Sequence, residues 1–322
     1  MPRFNVDTSS EEVIETFKSR VAGRIFLITG AGAQGLGGST ALYLSKAGPA
    51  HIILVSRTVR NVQPVVDQIN TESPAVKVTL VQCDLSDQDS VRAAAATIDK
   101  AVQKIDVIIN NAGVMAIRNY SKDKHGIELQ LSANHVGHFL LTNLLVPKLV
   151  AAGDDSRVVN LSSHGHRISP FRFDDYNFSE GKEYERFSAY GQSKTANILF
   201  TVGLSERLRG KGVTSVAVHP GSIWGTGLAD GDLTEEDVHG LTDIAERNTG
   251  RPWIGDVPFS KPMSQGTATT LIAALAPEIP SQSPAYLSNG QITEANDYAM
   301  DKGNADELWK LSEEWVGQKF DY

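Results

Sequence analysis

The chain has 322 residues, 41% of them hydrophobic, which is enough to bury a large core, and its net charge of −8 argues against nucleic acid or an anionic membrane as a main partner. Cys83 is the single cysteine, so an intrachain disulfide is excluded and a reducing compartment is expected. No basic stretch followed by an apolar run opens the chain, and no apolar stretch reaches the roughly 18 residues of a membrane span, so a cytoplasmic protein is expected.

Residues 2–21 read as a helical preface, with Ser9, Ser10, Glu11 and Glu12 as cap chemistry ahead of Val13, Ile14 and Phe17. A compact apolar run at 24–29 predicts a buried strand. It feeds into Gly30-Ala-Gly-Ala-Gln-Gly35-Leu-Gly37-Gly38 and then a helix over 39–47. Strand, glycine turn and helix together present backbone N–H groups and a helix N-terminus to a phosphate, and glycines let the backbone approach it closely. Several registers of the glycine pattern can be drawn, so spacing alone does not assign the contacts.

A second strand is expected at 51–56, followed by Arg57, with Arg60 close behind. An acidic residue at this place would grip a ribose 2′-hydroxyl, but no Asp or Glu occurs until Asp67. The Arg57 guanidinium suits a 2′-phosphate, which favours NADP(H) over NAD(H); a solvated loop arginine is the other reading. Strands follow at 76–83, 105–109, 157–161 and 214–219, alternating with helical patterns, as in a parallel sheet covered on both faces. The helical segment 183–209 carries Tyr190 and Lys194, four apart and therefore on one face. An ammonium roughly 4 Å from a phenol at an effective dielectric of about 20 is worth about 4 kcal/mol, or about three pKa units. That spacing is expected to bring the tyrosine near working pH for acid/base chemistry on a carbonyl or alcohol. Residues 227–262 have no clear periodicity; 265–275 reads as a helix, 285–287 as a short strand and 305–316 as a closing helix.

On these residues the chain resembles the short-chain dehydrogenase/reductase family from about residue 24 to 228. Thr29-Gly30 with Gly35-Leu36-Gly37 resembles the family's glycine turn, and Asn110-Asn111-Ala112-Gly113 its N-N-A-G motif. Asp84 matches the acid that contacts the adenine, and Leu161-Ser162-Ser163 and Pro220-Gly221 match the serine segment and the nicotinamide motif. His135-Val-Gly-His-Phe-Leu-Leu-Thr142 and Ala189-Tyr-Gly-Gln-Ser-Lys-Thr-Ala-Asn197 are similar to the retinol-dehydrogenase-like branch, and the Gly-Leu-Gly turn and the tail from Lys261 to fungal NADP-dependent reductases of that branch. Two departures stand out. Four residues rather than three separate Gly30 and Gly35, so the loop must bulge, and Thr226 falls one residue later than the usual threonine.

The resemblance implies an α/β fold, a Rossmann-type doubly wound parallel sheet of about seven strands with helices on both faces. It implies one dinucleotide-binding oxidoreductase domain: a preface at 1–23, a core at 24–226, a substrate lid at 227–262 and a C-terminal segment at 263–322. It implies Asn134, Ser163, Tyr190 and Lys194 as the catalytic set. Ser163, the second of the adjacent serines, would bind the substrate oxygen and Tyr190 would move the proton. Lys194 would lower the tyrosine pKa and hold the ribose hydroxyls, and Asn134 would hold a water linking Lys194 to solvent. NADP(H) would be bound by Gly30, Gln34, Gly35, Leu36, Gly37, Arg57, Asp84, Leu85, Asn110, Asn111, Ala112, Gly113, Tyr190, Lys194, Pro220, Gly221, Ile223 and Thr226.

A small-molecule carbonyl or alcohol is the expected partner, and Trp224, Trp253, Phe171 and Phe173 point to an apolar, ring-bearing one. Homodimer, homotetramer and monomer all occur in such a family. No metal is expected, because the eight histidines and one cysteine show no zinc-ligand spacing. Two other readings stay open: a sugar-nucleotide epimerase or dehydratase, which also uses a tyrosine and lysine four apart, and a non-catalytic dinucleotide-binding or sensing protein.

Overall fold

The apolar runs seen in the sequence become strands β1 (Ile25–Thr29), β2 (His51–Ser56), β3 (Lys77–Gln82), β4 (Val107–Asn110), β5 (Ser156–Leu161), β6 (Val213–His219) and β7 (Ala285–Ser288) in a computed structural model that describes residues 4–229 and 234–322. Residues 1–3 and 230–233, parts of the expected preface and lid, lie outside the described residues. The seven strands pair in parallel in the order β3-β2-β1-β4-β5-β6-β7. Both faces of the inner strands are covered, which is why β1 and β4 read as near-continuous apolar runs and why β5 and β6 are buried at every position.

Helices α1 (Ser10–Phe17), α2 (Leu36–Ser45), α3 (Gln63–Glu72) and α9 (Met263–Leu275) cover one face, burying Val13, Phe17, Leu44, Ile69 and Ile272 against the sheet. On the other lie α4 (Gln88–Ala101), α6 (Gly137–Ala152), α7 (Arg186–Arg207) and α11 (Lys302–Val316), through Ile98, Phe139, Leu199, Leu308 and Trp309. Each such apolar side chain contributes about 1.5–3 kcal/mol when fully buried, so the sheet is held between two cores. Three further helices complete the described chain: α5 (Leu129–Leu131), α8 (Glu235–Thr249) and α10 (Asp297–Met300). Ser9 caps α1 in a capping box with Glu12, the chemistry legible in the preface. The arrangement is the Rossmann-type doubly wound sheet, and none of its described helices is long and apolar enough to cross a membrane.

Two elements differ from the expectation. The sheet has eight strands, not about seven, because β8 (Gln291–Thr293) folds back antiparallel on β7. The hairpin turn is Asn289-Gly290, both with positive φ (53° and 73°), the geometry that Asn-Gly supplies with little strain. Second, the segment read as patternless contains α8. Thr234 and Asp237 form a capping box at its start, and Leu241 and Ala245 are buried.

Candidate active site

The loops after β1, β2, β4, β5 and β6 converge at the carboxyl ends of the strands, where the strand order reverses between β1 and β4. There they border a cavity of about 840 Å³. Gly30, Gly35 and Leu36 form part of its wall. Gly30 has φ of +69° and lies so close to β4's loop that a Cβ would meet Ala112 Cα at 2.7 Å. A Cβ on Gly37 would sit 2.6 Å from the Gly30 carbonyl oxygen, so Gly37 lets helix and strand approach beneath the cavity rather than lining it. The extra residue of the turn bulges away from the cavity: Ala33 N–H donates to Asn61 O at 3.0 Å, and Gln34 is exposed outside the cavity wall. Gly35 is the N-cap of α2 and offers no side chain, so the first N–H groups of that helix have no side-chain acceptor.

After β2, the exposed Arg57 borders the same cavity and pairs with no carboxylate among the described residues. Asp84 and Leu85 lie in the wall after β3, with Asp84 Oδ1 accepting from the Ser86 N–H and hydroxyl at 3.0 and 2.7 Å. Asn111, Ala112 and Gly113 also line the cavity, while Asn110 points into the sheet and donates to Thr142 and Asn160. The Asn111 and Ala112 amides both donate to the Thr29 hydroxyl oxygen at 3.0 Å, which fixes this loop to β1. Pro220, Gly221, Ile223 and Thr226 complete the wall after β6.

Asn134 sits in a π-helical turn, Ser132–Val136, between α5 and α6, a widened turn of the kind often found at functional sites. Its side-chain amide is fully engaged: Oδ1 accepts from Val114 N–H at 2.8 Å, and Nδ2 donates to Val114 O and Ser193 Oγ at 2.9 Å. Asn134 and Lys194 meet around Gly113, where a Cβ would lie 3.1 Å from Asn134 Oδ1 and 3.4 Å from Lys194 Nζ.

Ser163, Tyr190 and Lys194 share the cavity wall. The neighbouring Ser162 hydroxyl is committed to the Lys194 carbonyl at 2.8 Å, whereas Ser163 Oγ accepts the Gly165 N–H at 2.9 Å and faces the Tyr190 phenol. A Cβ on Gly165 would stand 2.6 Å from Tyr190 Cε1, so the tyrosine ring packs directly on the turn that Ser163 begins. Lys194 Nζ lies 5.5 Å from the centre of the Tyr190 ring and donates to Leu161 O at 3.2 Å. Burial pushes the Lys194 ammonium down to about 8. Burial also pushes the Tyr190 phenol up to about 12, opposed by Ser163 and assisted by the negative charge of Asp256. Burial thus opposes the expected lowering of this phenol by Lys194.

Much of the remaining wall is apolar: Met115, Ile168, Phe187, Leu241 and Trp253, with the Trp224 and Phe259 rings tilted against each other, centres 5.6 Å apart, at the rim. Phe171 and Phe173, expected from the sequence to face substrate, pack instead on each other, with Phe171 also against Trp315. The sequence also gave no sign of Asp256, His164 and His219 meeting beside the cavity, since they are distant along the chain. A sequence signal for α8, which supplies Leu241, did exist in the capping pair Thr234 and Asp237.

A family model described as short chain dehydrogenase matches residues 24–237. Retinol dehydrogenase 12 of Mus musculus is 36% identical over 304 residues, 94% of this chain and 89% of its own. Oxidoreductase fscI of Fusarium equiseti is 33% identical over 246 residues, 69% of this chain and 95% of its own. Among solved structures, an uncharacterized protein from Mycobacterium paratuberculosis superposes with a TM-score of 0.69 at 32% identity, covering 94% of this chain and 96% of that one.

Proposed function

The chain belongs to the short-chain dehydrogenase/reductase family, in its retinol-dehydrogenase-like branch, and from that premise we propose that it is an NADP(H)-dependent oxidoreductase interconverting a carbonyl and an alcohol on a small apolar substrate. One observation carries the reading: Ser163, Tyr190 and Lys194 open onto the same cavity as the glycine turn and Arg57. The residues fit a dinucleotide. The uncapped N-terminus of α2 at Gly35 suits a pyrophosphate, Asp84 suits an adenine, and Arg57 offers a free guanidinium for a 2′-phosphate. The nicotinamide supplies or accepts the hydride.

The protein supplies position and protons. Ser163 Oγ, beside the Tyr190 phenol, holds the substrate oxygen where negative charge develops. Tyr190 gives that oxygen a proton during reduction and takes it back during oxidation. A phenol near 12 remains protonated across neutral pH, and an alkoxide is far more basic, so this tyrosine is set to act as an acid in the reductive direction. Lys194 holds positive charge beside it below about pH 8, and Asn134 fixes Val114 and Ser193 on either side. The apolar wall from Met115 to Trp253 excludes water and favours an apolar substrate.

The test is a fluorescence titration with NADPH and NADH on the wild type and Arg57→Ala, with carbonyl reduction by Tyr190→Phe as the companion. NADPH is expected to bind at least about tenfold tighter, about 1.4 kcal/mol, and the arginine variant to lose that preference. Equal binding of both dinucleotides by the wild type would overturn the NADP assignment.

A further inference from the structure

Beyond the residues assigned above, the described residues bring two histidines and a carboxylate together beside the cavity. His164 follows Ser163, His219 ends β6 and Asp256 lies between α8 and α9, and their ligand atoms all fall within 4.8 Å of one another. Two histidines and a carboxylate resemble a metal site. The hydrogen bonds decide against it. The His164 N–H donates to His219 Nδ1 at 3.2 Å, so that nitrogen carries a lone pair and the proton of the neutral ring resides on Nε2. Nε2 lies 2.8 Å from Asp256 Oδ1 and donates to it. A metal on Nε2 would drive the proton to Nδ1, directly against the His164 N–H.

The set is instead one carboxylate surrounded by donors. Asp256 Oδ1 receives His219, Oδ2 receives the Ser222 hydroxyl at 2.6 Å, and His164 Nδ1 lies 2.7 Å from Oδ1, out of line for a hydrogen bond. Burial opposes the charge, yet contacts with His164, His219 and Ser222 hold this carboxyl well below the usual range. Asp256 sits in a segment, residues 250–262, whose other attachments are Trp253 packed on Ile168, Phe187 and Leu241, Phe259 against Trp224, and polar bonds at its two ends. Ile254 and Val257 are 66% and 83% exposed, while Trp253 and Phe259 form part of the cavity wall. Near its far end the segment is held by the Lys261 N–H to Ser222 O at 2.9 Å and by Lys261 Nζ to Asn289.

We propose that Asp256 is a positioning residue, the latch that holds segment 250–262 against the loop after β6 and so sets Trp253 and Phe259 as one wall of the cavity. The proposal rests on the oxidoreductase reading above for what the cavity holds, but not for the latch itself. Removing the carboxylate frees the segment while leaving Ser163, just after β5, and Tyr190 and Lys194, on α7, in place.

Two readouts on wild type, Asp256→Ala, Asp256→Asn and Ser222→Ala test it. The first is limited digestion with chymotrypsin, which cuts after aromatic residues and finds Trp253 and Phe259 within the segment. Asp256→Ala should be cut there at least tenfold faster than wild type. Asp256→Asn, which keeps one acceptor oxygen for His219, and Ser222→Ala, which keeps the His219 bond, should fall between. The second is the NADPH dissociation rate by stopped-flow fluorescence, expected to rise several-fold in the same order. Identical digestion and identical release in all four proteins would overturn the latch. Should Asp256→Ala fail to fold, the same comparison between wild type, Asp256→Asn and Ser222→Ala decides it. If wild type does not bind NADPH, the cofactor reading fails while the digestion series still judges the latch.

Discussion

The Thr29 hydroxyl donates to His138 Nε2 across 2.8 Å, and this one bond fixes the protonation of a buried chain. Thr29 Oγ already accepts the Asn111 and Ala112 amides, so its own hydrogen must point at His138. His138 therefore carries its proton on Nδ1 and donates it to the Asn134 carbonyl at 2.9 Å. The end of β1, the loop after β4 and the π turn before α6 are thus tied together by one threonine and one neutral histidine. Thr29→Val keeps the shape but leaves the half-buried Ala112 amide without its acceptor and the buried His138 Nε2 without its donor. It should lower stability by about 2–4 kcal/mol in urea denaturation. A loss under about 0.5 kcal/mol would show that the chain has no part in holding the site.

Neutral histidines make the fold sensitive to acid. Burial pushes His135 and His166 down to about 3, and His51, His138 and His219 down to about 4. Each is depressed below its unfolded value of about 6.5, so between that pH and the folded value the unfolded chain binds the extra proton. Stability is therefore complete above about pH 6.5 and falls as the pH drops towards 4, by up to about 1.4 kcal/mol per pH unit for each histidine. Thermal melts should show a steep loss from pH 7 to 5, and a flat profile over that span would contradict the neutral assignment.

Lys194 acts in the opposite range. Its folded pKa is lowered from 10.5 to about 8, so the buried charge is a penalty present in full below pH 8 and relieved as pH rises towards 10.5. Lys194→Met should raise stability at pH 7, by up to about 3 kcal/mol, while abolishing turnover. In the wild type, reductive kcat/KM should decline as pH rises through about 8, where Lys194 loses its charge. A decline that stays in place when the residue is Lys194→Arg, whose charge persists, would assign the limb to another group.

The two glycines around the start of α2 should separate folding from binding. A Cβ at Gly37 meets the Gly30 carbonyl and Asn111 Nδ2 at 2.6 Å, whereas a Cβ at Gly35 finds no protein atom closer than 3.5 Å. Gly37→Ala should cost about 1–3 kcal/mol of stability by overpacking. Gly35→Ala should fold with near wild-type stability yet bind NADPH at least tenfold more weakly, because its Cβ intrudes where the helix N-terminus meets a phosphate. Unimpaired binding by Gly35→Ala in an equilibrium titration would move the phosphate contact elsewhere on the loop.

Strand–helix alternation in the sequence shows the sheet because burial on both faces demands long apolar runs, and β2 was legible to the residue. β8 was not read, although Asn289-Gly290 marks its turn, because three residues with only Ile292 half-buried give little periodicity. α8 was missed because its apolar face is narrow and surrounded by acids and glycines, leaving only the Thr234 and Asp237 cap as a signal.

At the site, local motifs carried most of the information, since a glycine turn, Asn111 to Gly113 and the Tyr190–Lys194 spacing each need only a few neighbouring residues. By itself the sequence determined the fold class and which segments meet at the carboxyl ends of the strands, because periodicity and turn chemistry are local properties. Only the tertiary structure decided that Tyr190 and Lys194 are both buried on one cavity wall, that the extra residue of the glycine turn points away from the cavity, and that Asp256 closes on His219. Desolvation and contacts between distant residues depend on everything packed around a group, and no stretch of sequence contains that surrounding.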